Sequence, residues 1–498
     1  MAERGGGATI VWFRRDLRVT DHPALDEAVR RGAPLLPLFI LDPRLLHGRF
    51  ASPNRTWFLL GSLRALSDAL RERGSRLEVR VGSAEDIVPA VADEVRADRV
   101  FVSRDYTPYG RQRDRRVADR LEAAGRSMHR RPGLLVHEPE DVLTAEGRPS
   151  RVFTPFHRRW TGLPLRTMID APERLPPTPD ARARSGHRID PLTDVARLGL
   201  DPPTAEIGEL LPPGEDAARD RLSSWLDAGA AGGPTAYPVT RDRLADPAAT
   251  SRLGADLRFG LLSPVEVAAR ALATDGGSEG SRRFVSELAW RDFYAHGLWH
   301  DPRLATEPFQ RRYAGTAWPG GGPGDESEAI EAWRQGRTGY PIIDAPMCQL
   351  LATGFMPNRA RMIVASFLAK DLLVDWRVGE AHFMRHLVDG DPASNLGGWQ
   401  WAASVGTDAQ PYFRVFNPVT QGRRFDPDGE YVRTWIPELA RVPASRVHEP
   451  WTMTPEEQRV AGCRVGRDYP GPIVDHAEAR LRALAWFGAV RRDAVDAD

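Results

Sequence analysis

Cysteine is scarce in this sequence: Cys348 and Cys463 are the only two in 498 residues, and they lie far apart. Two distant thiols cannot form the thiolate cluster of a zinc or iron–sulfur site, so we expect no metal site. A structural disulfide is not expected in a reducing compartment either. Any redox chemistry of this chain therefore requires an organic cofactor.

Net charge is absent, since 68 basic residues balance 68 acidic ones, and Lys370 is the only lysine. A balanced total neither indicates nor excludes a nucleic acid partner, because binding depends on local patches of charge. Long apolar runs are also missing, as no segment approaches the ~20 residues that cross a bilayer. The Gly-rich, polar start from Met1 to Ala8 does not resemble a secretory signal. We therefore expect a cytoplasmic protein without a membrane partner.

The first third of the chain alternates short apolar runs with amphipathic stretches, which is typical of strand–helix–strand units. It predicts a parallel sheet with helices on both faces, an α/β, Rossmann-like domain over residues 1–138. No Gly-x-Gly-x-x-Gly motif follows the first strand, so a dinucleotide in this domain is not indicated. The predicted strands and helices are Ala8–Phe13, Leu35–Leu41, Leu77–Val81, Arg99–Ser103 and a weaker Leu134–His137, with Pro23–Arg31, Asn54–Arg73, Ala84–Val95 and Tyr109–Ala124 between them.

The stretch 139–215 is rich in proline and arginine, so little regular structure is expected there and we interpret it as an interdomain linker. From residue 216 to about residue 490 the periodicity is helical, which predicts an all-α domain. Its predicted helices include Asp216–Ala228, Pro264–Ala273, Ser281–His300, Ser327–Gln335, Ile343–Thr353, Asn358–Leu373 and Val378–Val388.

One face of the predicted helix Ser281–His300 mixes charge with aromatic rings. Glu287, Trp290, Arg291 and Tyr294 fall at i, i+3, i+4 and i+7 and therefore share that face. Buried charges are costly unless they are satisfied, so such a face suits the wall of a polar cavity that holds a planar ligand. The alternative, a structural Glu–Arg pair beside interfacial aromatics, is equally compatible with this helix alone.

Three further segments contain polar or charged side chains that are suited to ligand binding. Asn358, Arg361 and Met362 share a helix face, where the arginine either neutralises an anionic cofactor or satisfies a structural carboxylate. The segment Asp389–Trp401 contains three glycines, a proline, two acids and two tryptophans, and we predict a functional loop there, although tryptophans also fill core volume. Thr250–Leu253 precedes a helical stretch and suits a phosphate cradle, or an ordinary N-cap.

Together these segments resemble the photolyase/cryptochrome family, and specifically its class I cyclobutane-dimer photolyases. The resemblance covers nearly the whole chain, with several long motifs in the right order. It implies that the all-α domain of residues 216–490 binds FAD and DNA and that the α/β domain binds an antenna chromophore. The motifs that carry it are Trp12–Arg18, Glu287–Tyr294, Thr338–Pro341, Asn358–Met362, Asp389–Ala403, Phe416–Pro418 and Trp435–Leu439.

The resemblance implies a set of contacts to FAD in its reduced, anionic form. Arg361 would pair with Asp389 near the flavin ring, where the arginine favours the anionic form. Asp391 would lie at the ribose and ring edge, and Asn395 would face flavin N5. The other implied FAD contacts are Tyr237, Thr250, Ser251, Arg252, Leu253, Phe284 and Arg291.

The implied activity is light-dependent repair of cyclobutane pyrimidine dimers in DNA, by electron transfer from excited, reduced FAD to a flipped-out dimer. Glu287 would be the hydrogen-bond partner of the pyrimidine edge, and we expect the enzyme to act as a monomer. The implied dimer pocket consists of Glu287, Trp290, Asn358, Arg359, Met362 and Trp401. The implied electron route from flavin to surface consists of Trp399, Trp376 and Trp318.

The antenna is expected to be a deazaflavin rather than a folate, because Leu38–Pro43 and Asp105–Asp114 look closer to deazaflavin-binding relatives. Arg258 stands where those relatives often have lysine, which keeps a cation but changes its geometry. The sequence also departs from the family pattern at Phe284, Gly254, Leu396, Phe355 and Pro357, where tryptophan, serine, asparagine, tryptophan and histidine are common.

Two alternatives come from the same family. A cryptochrome photoreceptor keeps FAD but signals, and it often alters the residue that faces N5; Asn395 favours the enzyme. A (6-4) photolyase relies on a histidine pair that Asn358, Arg359 and Met362 do not provide. A purely structural role would leave Glu287 and Asn395 without a purpose.

Overall fold

The computed structural model describes residues 7–179, 187–188, 198–204, 211–229 and 232–495. Its N-terminal part contains a sheet with the strand order β5-β4-β1-β2-β3-β6, in which the first five strands are parallel and the short sixth is antiparallel. The expected α/β domain is therefore confirmed. The strands are β1 Ala8–Phe13, β2 Leu35–Leu41, β3 Glu78–Val81, β4 Ala97–Ser103, β5 Ser127–Arg131 and β6 His187–Arg188.

Helices cover both faces of this sheet, because its central strands are apolar on both sides and every residue of β1 is buried. The fifth strand is β5 and not the predicted Leu134–His137. β5 is a polar edge strand with partly exposed residues, so it carries no apolar run that would reveal it. The helices of this part are α1 Pro23–Arg30, α2 Pro43–Leu46, α3 Pro53–Glu72, α4 Ala84–Glu94 and α5 Pro108–Ala123.

The stretch predicted as a linker is partly helical and packs into the core. Helix α6, Phe153–Gly162, buries Phe156 and Trp160, and the Trp160 Nε1 donates to Asp292 at 3.0 Å. Residues 180–186, 189–197 and 205–210 of the stretch lie outside the described residues. The limits 1–138, 139–215 and 216–490 stay a prediction.

The C-terminal part is helical, as predicted. Its α-helices are α7 Glu215–Leu226, α8 Gly233–Thr240, α9 Gly254–Phe259, α10 Pro264–Thr274, α11 Glu279–His300, α12 Glu328–Arg334, α13 Pro341–Thr353, α14 Asn358–Ser366, α15 Trp376–His386, α16 Pro392–Ala402, α17 Pro418–Phe425, α18 Glu430–Trp435, α19 Pro455–Ala461 and α20 His476–Val495. Short 3-10 turns occur at Pro302–Ala305, Arg311–Tyr313, Pro437–Leu439 and Pro450–Thr452. Across the described ranges, no helix combines the length and apolarity needed to cross a membrane.

The segment Asp389–Trp401 was expected to be a loop, and this prediction was wrong over most of its length. Asp391 caps helix α16 by accepting hydrogen bonds from the backbone N–H groups of Ala393 and Ser394, and Pro392 occupies the first turn. The glycines inside the helix have a packing reason: a Cβ on Gly397 would lie 2.0 Å from the ring of Tyr294. Glycine therefore lets α16 approach α11 closely.

Helix α14 does not run to Leu373 as predicted but ends in a π-turn, Phe367–Asp371. This turn holds Lys370, which is fully buried and donates from Nζ to the carbonyl oxygen of Arg414 at 2.9 Å. Burial lowers the pKa of Lys370 to about 7. The chain thus keeps its single lysine in the interior.

The buried Lys370 predicts a pH dependence of stability. Its folded-state pKa of about 7 lies below the ordinary 10.5, so the unfolded chain binds more protons between these values. Relative to Lys370→Met, the free energy of unfolding of the parent should rise by a few kcal/mol between pH 7 and pH 10.5. Urea unfolding of both proteins at steps across that range measures the difference. A difference that does not change with pH would mean that burial does not lower the pKa of Lys370.

Candidate functional site

A cavity of about 430 Å³ opens between α11, α14 and α16. It lies where the mixed face of α11 meets the polar face of α14, so the structure places the two faces against each other. Five arginines and three carboxylates line it, which leaves an excess of positive charge. The predicted site residues that line it are Glu287, Trp290, Arg291, Asn358, Arg361, Met362, Asp389, Asp391, Asn395, Trp399 and Trp401.

Asp391 is the electrostatic centre of one half of the cavity. It forms an ion pair with Arg15 from the N-terminal domain and lies near Arg258 and Arg291. Burial by itself raises the pKa of Asp391, but the three guanidinium groups outweigh it and hold that pKa well below its usual range. Burial lowers the pKa of Arg291, whose guanidinium donates to the carbonyl oxygens of Leu134 and Leu257. The carboxylate is thus held ionised.

Arg361 and Asp389 form an ion pair of 2.8 Å on the same side, and the Arg361 Nε donates to the carbonyl oxygen of Met356. The other carboxylate oxygen of Asp389, Oδ1, is buried without a hydrogen-bond partner in the described part of the chain. A Cβ on Gly254 would lie 2.6 Å from Asp389 Oδ2. The glycine that departs from the family pattern therefore leaves room for this carboxylate.

Arg252 lines a smaller cavity of about 90 Å³ that Asp389 also borders. Its φ of 53° lies in the left-handed region, which is costly for a residue with a Cβ and is most often found at functional sites. The guanidinium lies over the ring of Phe355 at 4.7 Å, and no ion pair to it occurs among the described residues. It is available to an anionic group.

Asn395 lies in the second turn of α16 with its amide nitrogen already engaged. Nδ2 donates to the carbonyl oxygen of Glu380 at 3.1 Å and to its Oε1 at 3.2 Å. Burial raises the pKa of Glu380. Because the nitrogen is committed, Oδ1 is the atom of this amide that can accept a hydrogen bond from a ligand in the cavity.

The other half of the cavity contains Glu287, Trp290, Asn358, Met362 and Trp401. Glu287 forms an ion pair with Arg241 at 2.6 Å, and Arg283 lies 3.7 Å away on the preceding turn of α11. The Asn358 Nδ2 lies 3.8 Å from the Met362 sulfur. A carboxylate and two indole rings thus border one space.

Phe153 of α6 contributes to this half, and the sequence did not reveal it. Its ring stacks on Trp290 with centroids 3.6 Å apart and planes 8° from parallel. One face of the indole is therefore covered by protein, which fixes the ring while Trp290 still lines the cavity. The only signal was the pair of aromatic residues Phe153 and Phe156 within a stretch interpreted as a linker.

Several predicted site residues do not line the main cavity. Tyr237 and Phe284 are buried against each other and Trp225, with the Phe284 and Trp225 rings 4.3 Å apart. Arg359 forms a two-point ion pair with Asp242, both bonds 3.0 Å long. Thr250, Ser251 and Leu253 lie in the turn before α9, beside Arg252 and the smaller cavity.

The chain matches two sequence families over most of its length. The family described as DNA photolyase matches residues 9–179, and the one described as FAD binding domain of DNA photolyase matches residues 284–489. A deoxyribodipyrimidine photo-lyase of Agrobacterium fabrum is 40% identical over 97% of this chain and 98% of its own length. One of Escherichia coli is also 40% identical, over 97% of this chain and 99% of its own.

The chain belongs to the DNA photolyase family.

Solved structures agree with this membership. A bacterial class III photolyase from Agrobacterium tumefaciens has a TM-score of 0.89 at 39% identity and covers 99% of both chains. A Synechocystis sp. cryptochrome has a TM-score of 0.86 at 29% identity, over 97% of this chain and 99% of its own. The predicted family, the predicted fold and the expectation of an enzyme are therefore confirmed. The class I assignment is not, since a class III photolyase is among the closely similar structures.

The residues that line the two cavities have the charges and hydrogen-bonding atoms that FAD requires. Asp389 borders both the larger and the smaller cavity, and an arginine without an ion-pair partner among the described residues, Arg252, borders the smaller one. The orphaned Asp389 Oδ1 and the free Asn395 Oδ1 are polar atoms that a ligand can satisfy. An excess of arginine around the ring-sized cavity suits an anionic cofactor.

The three tryptophans of the predicted electron route lie on neighbouring segments of this photolyase. The ring of Trp399 lies directly against Gly379, one turn beyond Trp376 on α15. The backbone N–H of Asp375, next to Trp376, donates to the carbonyl oxygen of Gly321, close to Trp318. The rings that contact Trp399 directly do not belong to the predicted route: they are those of Phe383 at 5.0 Å and Trp333 at 6.0 Å.

The two segments predicted to hold the antenna lie side by side in the N-terminal domain. The Tyr109 hydroxyl donates to Asp42 at 3.0 Å, and Arg44 pairs with Asp42 and Glu85. Arg258 lines the main cavity, where its Nε donates to the carbonyl oxygen of Gly390 at 3.0 Å, and its charge also interacts with Asp105 of the second segment. The kind of antenna stays a prediction.

Proposed function

We propose that this protein repairs cyclobutane pyrimidine dimers in DNA in a light-driven reaction that uses FAD. The observation that carries the proposal is that one cavity joins two different halves: an arginine-rich half around Asp389 and Asp391, and a half formed by Glu287, Trp290 and Trp401. The first suits an anionic cofactor and the second an uncharged pair of fused rings. The photo-lyase names of relatives about 40% identical over nearly the full length support the same activity.

The cofactor half would hold FAD through Arg252, Arg361, Asp389, Asp391 and Asn395. When bound and reduced, FAD supplies one electron to the dimer after it absorbs light. Arg361 places positive charge beside the cavity and favours an anionic ring. Asn395 offers Oδ1 to a ring N–H, because Glu380 fixes its amide nitrogen. The carboxylate of Asp391 holds Arg15, Arg258 and Arg291 in one cluster.

The dimer half would receive a lesion that has left the DNA stack, since paired bases inside a duplex cannot reach a buried site. Trp290 and Trp401 offer apolar ring surface, and Phe153 keeps Trp290 in one orientation. Glu287 supplies a hydrogen-bond acceptor at the pyrimidine edge, and its ion pair with Arg241 holds this carboxylate in place. Asn358 and Met362 close the remaining wall.

Arginines outside the cavity lining would contact the phosphates that flank the lesion. Arg414, Arg423 and Arg424 are exposed, and Arg424 lies over the ring of Phe425 at 5.1 Å. Arg423 pairs with Glu449 and Arg359 pairs with Asp242. Each of these arginines must therefore release its carboxylate before it can bind a phosphate. Binding should therefore weaken with added salt although the chain has no net charge.

Glu287→Ala tests the dimer half. Hydrogen bonds to charged groups contribute about 1.5–3 kcal/mol, so the repair yield per absorbed photon should fall about tenfold or more. FAD content and light-driven reduction of the flavin should stay at the parent level, because Glu287 lies outside the cofactor half. Repair of a dimer-containing oligonucleotide under blue light, with chemically reduced protein, measures the effect.

Glu279→Ala is the matched control, since Glu279 lies on the same helix but is exposed in its first turn. It should repair like the parent. Parent-level repair by Glu287→Ala would remove the proposed role of this carboxylate, and loss of FAD in that variant would mean that Glu287 belongs to the cofactor half.

A further inference from the structure

We propose that Trp486 of α20 is the solvent-side end of the electron route, a fourth tryptophan after Trp399, Trp376 and Trp318. The ring of Trp486 lies 4.6 Å from that of Trp318, centroid to centroid, with planes 41° apart. The inference rests on the proposed function, since it extends a route that the proposed function requires.

Trp318 is poorly placed to meet a reductant in solution. Only 8% of its surface is exposed, and the ring of Phe487 packs edge-on against it at 6.1 Å. Trp486 is half-buried and so reaches the solvent more than Trp318 does. Since electron transfer to a dissolved donor requires close approach, the more exposed of two touching indoles is the better exit.

The other rings that contact Trp318 or Trp486 are poorer electron donors. Phe487 is fully buried, and phenylalanine is much harder to oxidise than tryptophan. Tyr313 lies 6.5 Å from Trp486 and is also buried. A phenol loses its proton when it is oxidised, and burial raises the pKa of Tyr313, which disfavours that loss. Of the two described rings that contact Trp318, Trp486 is therefore the one that can pass it an electron.

Helix α20 is held in place next to the route. His476, at its start, bonds through Nδ1 to the buried carboxylate of Asp371 in the π-turn. The helix also packs along the π-turn and the Arg311–Tyr313 turn. These contacts fix the distance between Trp486 and Trp318, which a mobile C-terminal helix would not.

The step balances as a single electron transfer. The oxidised Trp318 cation radical takes one electron from Trp486 and returns to its closed-shell form. The Trp486 cation radical then releases its indole N–H proton to water. A thiolate in solution supplies one electron and becomes a thiyl radical, and a proton from water restores the indole N–H.

Flash spectroscopy of Trp486→Phe in the FAD-containing protein tests the inference. In the parent, the tryptophan radical formed by a flash should decay faster as thiol is added. In Trp486→Phe the radical should remain on Trp318, and its decay should lose most of this thiol dependence. Trp486→Tyr keeps an oxidisable ring near water and should restore part of it. Trp451→Phe, a half-buried tryptophan packed against Tyr340, is the matched control and should behave like the parent.

A second readout does not depend on the flavin. Azide radicals oxidise exposed tryptophans selectively, and peptide mass spectrometry locates the products. Oxidation should accumulate on Trp486 in the parent and shift to Trp318 when Trp486 is phenylalanine. Unchanged thiol dependence in a folded Trp486→Phe protein, with Trp376→Phe unable to photoreduce its flavin, would overturn the role of Trp486 alone. Normal photoreduction in Trp376→Phe would instead overturn the proposed route itself.

Discussion

Trp376→Phe is expected to stop light-driven reduction of the bound flavin by an external thiol. Trp376 is 2% exposed and begins α15, whose Gly379 lies against the ring of Trp399. Phenylalanine keeps an aromatic ring in this space, so the loss of packing should be of order 1 kcal/mol. It is much harder to oxidise, so the electron cannot pass. Flavin absorbance during illumination with thiol measures the effect.

The same variant should repair dimers close to the parent rate once its flavin has been reduced with dithionite, because repair uses an electron already on the flavin. Trp333→Phe is the matched control: Trp333 is also buried and touches Trp399 at 6.0 Å. It should photoreduce normally. The reverse result, with Trp333→Phe blocked and Trp376→Phe active, would place the route through Trp333. Loss of stability and of both activities in Trp376→Phe would make Trp376 a core residue only.

Asp391→Ala is expected to release FAD and to lower the free energy of unfolding by about 3–5 kcal/mol, the usual cost of removing one partner from a buried ion cluster. The variant leaves Arg15, Arg258 and Arg291 without the carboxylate that they share. It also removes the cap of α16. Flavin content after gel filtration and urea unfolding measure the two effects.

Asp375→Ala is the control that measures the loss of a helix cap alone. Asp375 caps α15, but its ion-pair partner Arg377 is partly exposed, so no buried ion cluster is disrupted. Loss of that cap should cost only about 1 kcal/mol. Asp391→Asn keeps an acceptor for the cap but not the charge, so it should still release FAD. An Asp391→Ala protein that retains FAD and parent stability would contradict the central position of this carboxylate.

The loss of stability in Asp391→Ala should depend on pH, and the pKa of Asp391 gives the sign of this dependence. The pKa of Asp391 is below its ordinary value of 3.8 in the folded protein. The stability that it contributes is therefore fully present above that value and is lost as the pH falls through the folded-state pKa. The stability difference between parent and Asp391→Ala should be constant from neutral pH down to about pH 4 and shrink below it.

Much of the fold followed from the periodicity of the sequence. The strands β1 and β2 were predicted because they are short apolar runs. The helical spacing of Glu287, Trp290 and Arg291 likewise predicted the face of α11 that lines the cavity. These features depend only on the spacing of residues within one segment, which can be read from the sequence. The polar edge strand β5 was missed, since an edge strand needs no apolar side.

Other features depend on contacts between distant segments. The glycines of α16 suggested a loop, whereas Gly397 is required by the ring of Tyr294 on α11. Phe153 was placed in a linker, yet it stacks on Trp290 from more than 130 residues away in sequence. Arg258 was considered only for the antenna, yet it also lines the main cavity. Such pairings become visible only in three dimensions.

The most direct test of the proposed function is repair by the parent protein in light and in the dark. Chemically reduced protein would be mixed with a dimer-containing oligonucleotide, and intact thymines would be counted by chromatography. We expect the dimers to disappear under blue light and to remain in the dark, while an undamaged oligonucleotide is unchanged. Dimers that stay intact under light, in protein that holds reduced FAD, would contradict the proposed repair activity and favour a photoreceptor.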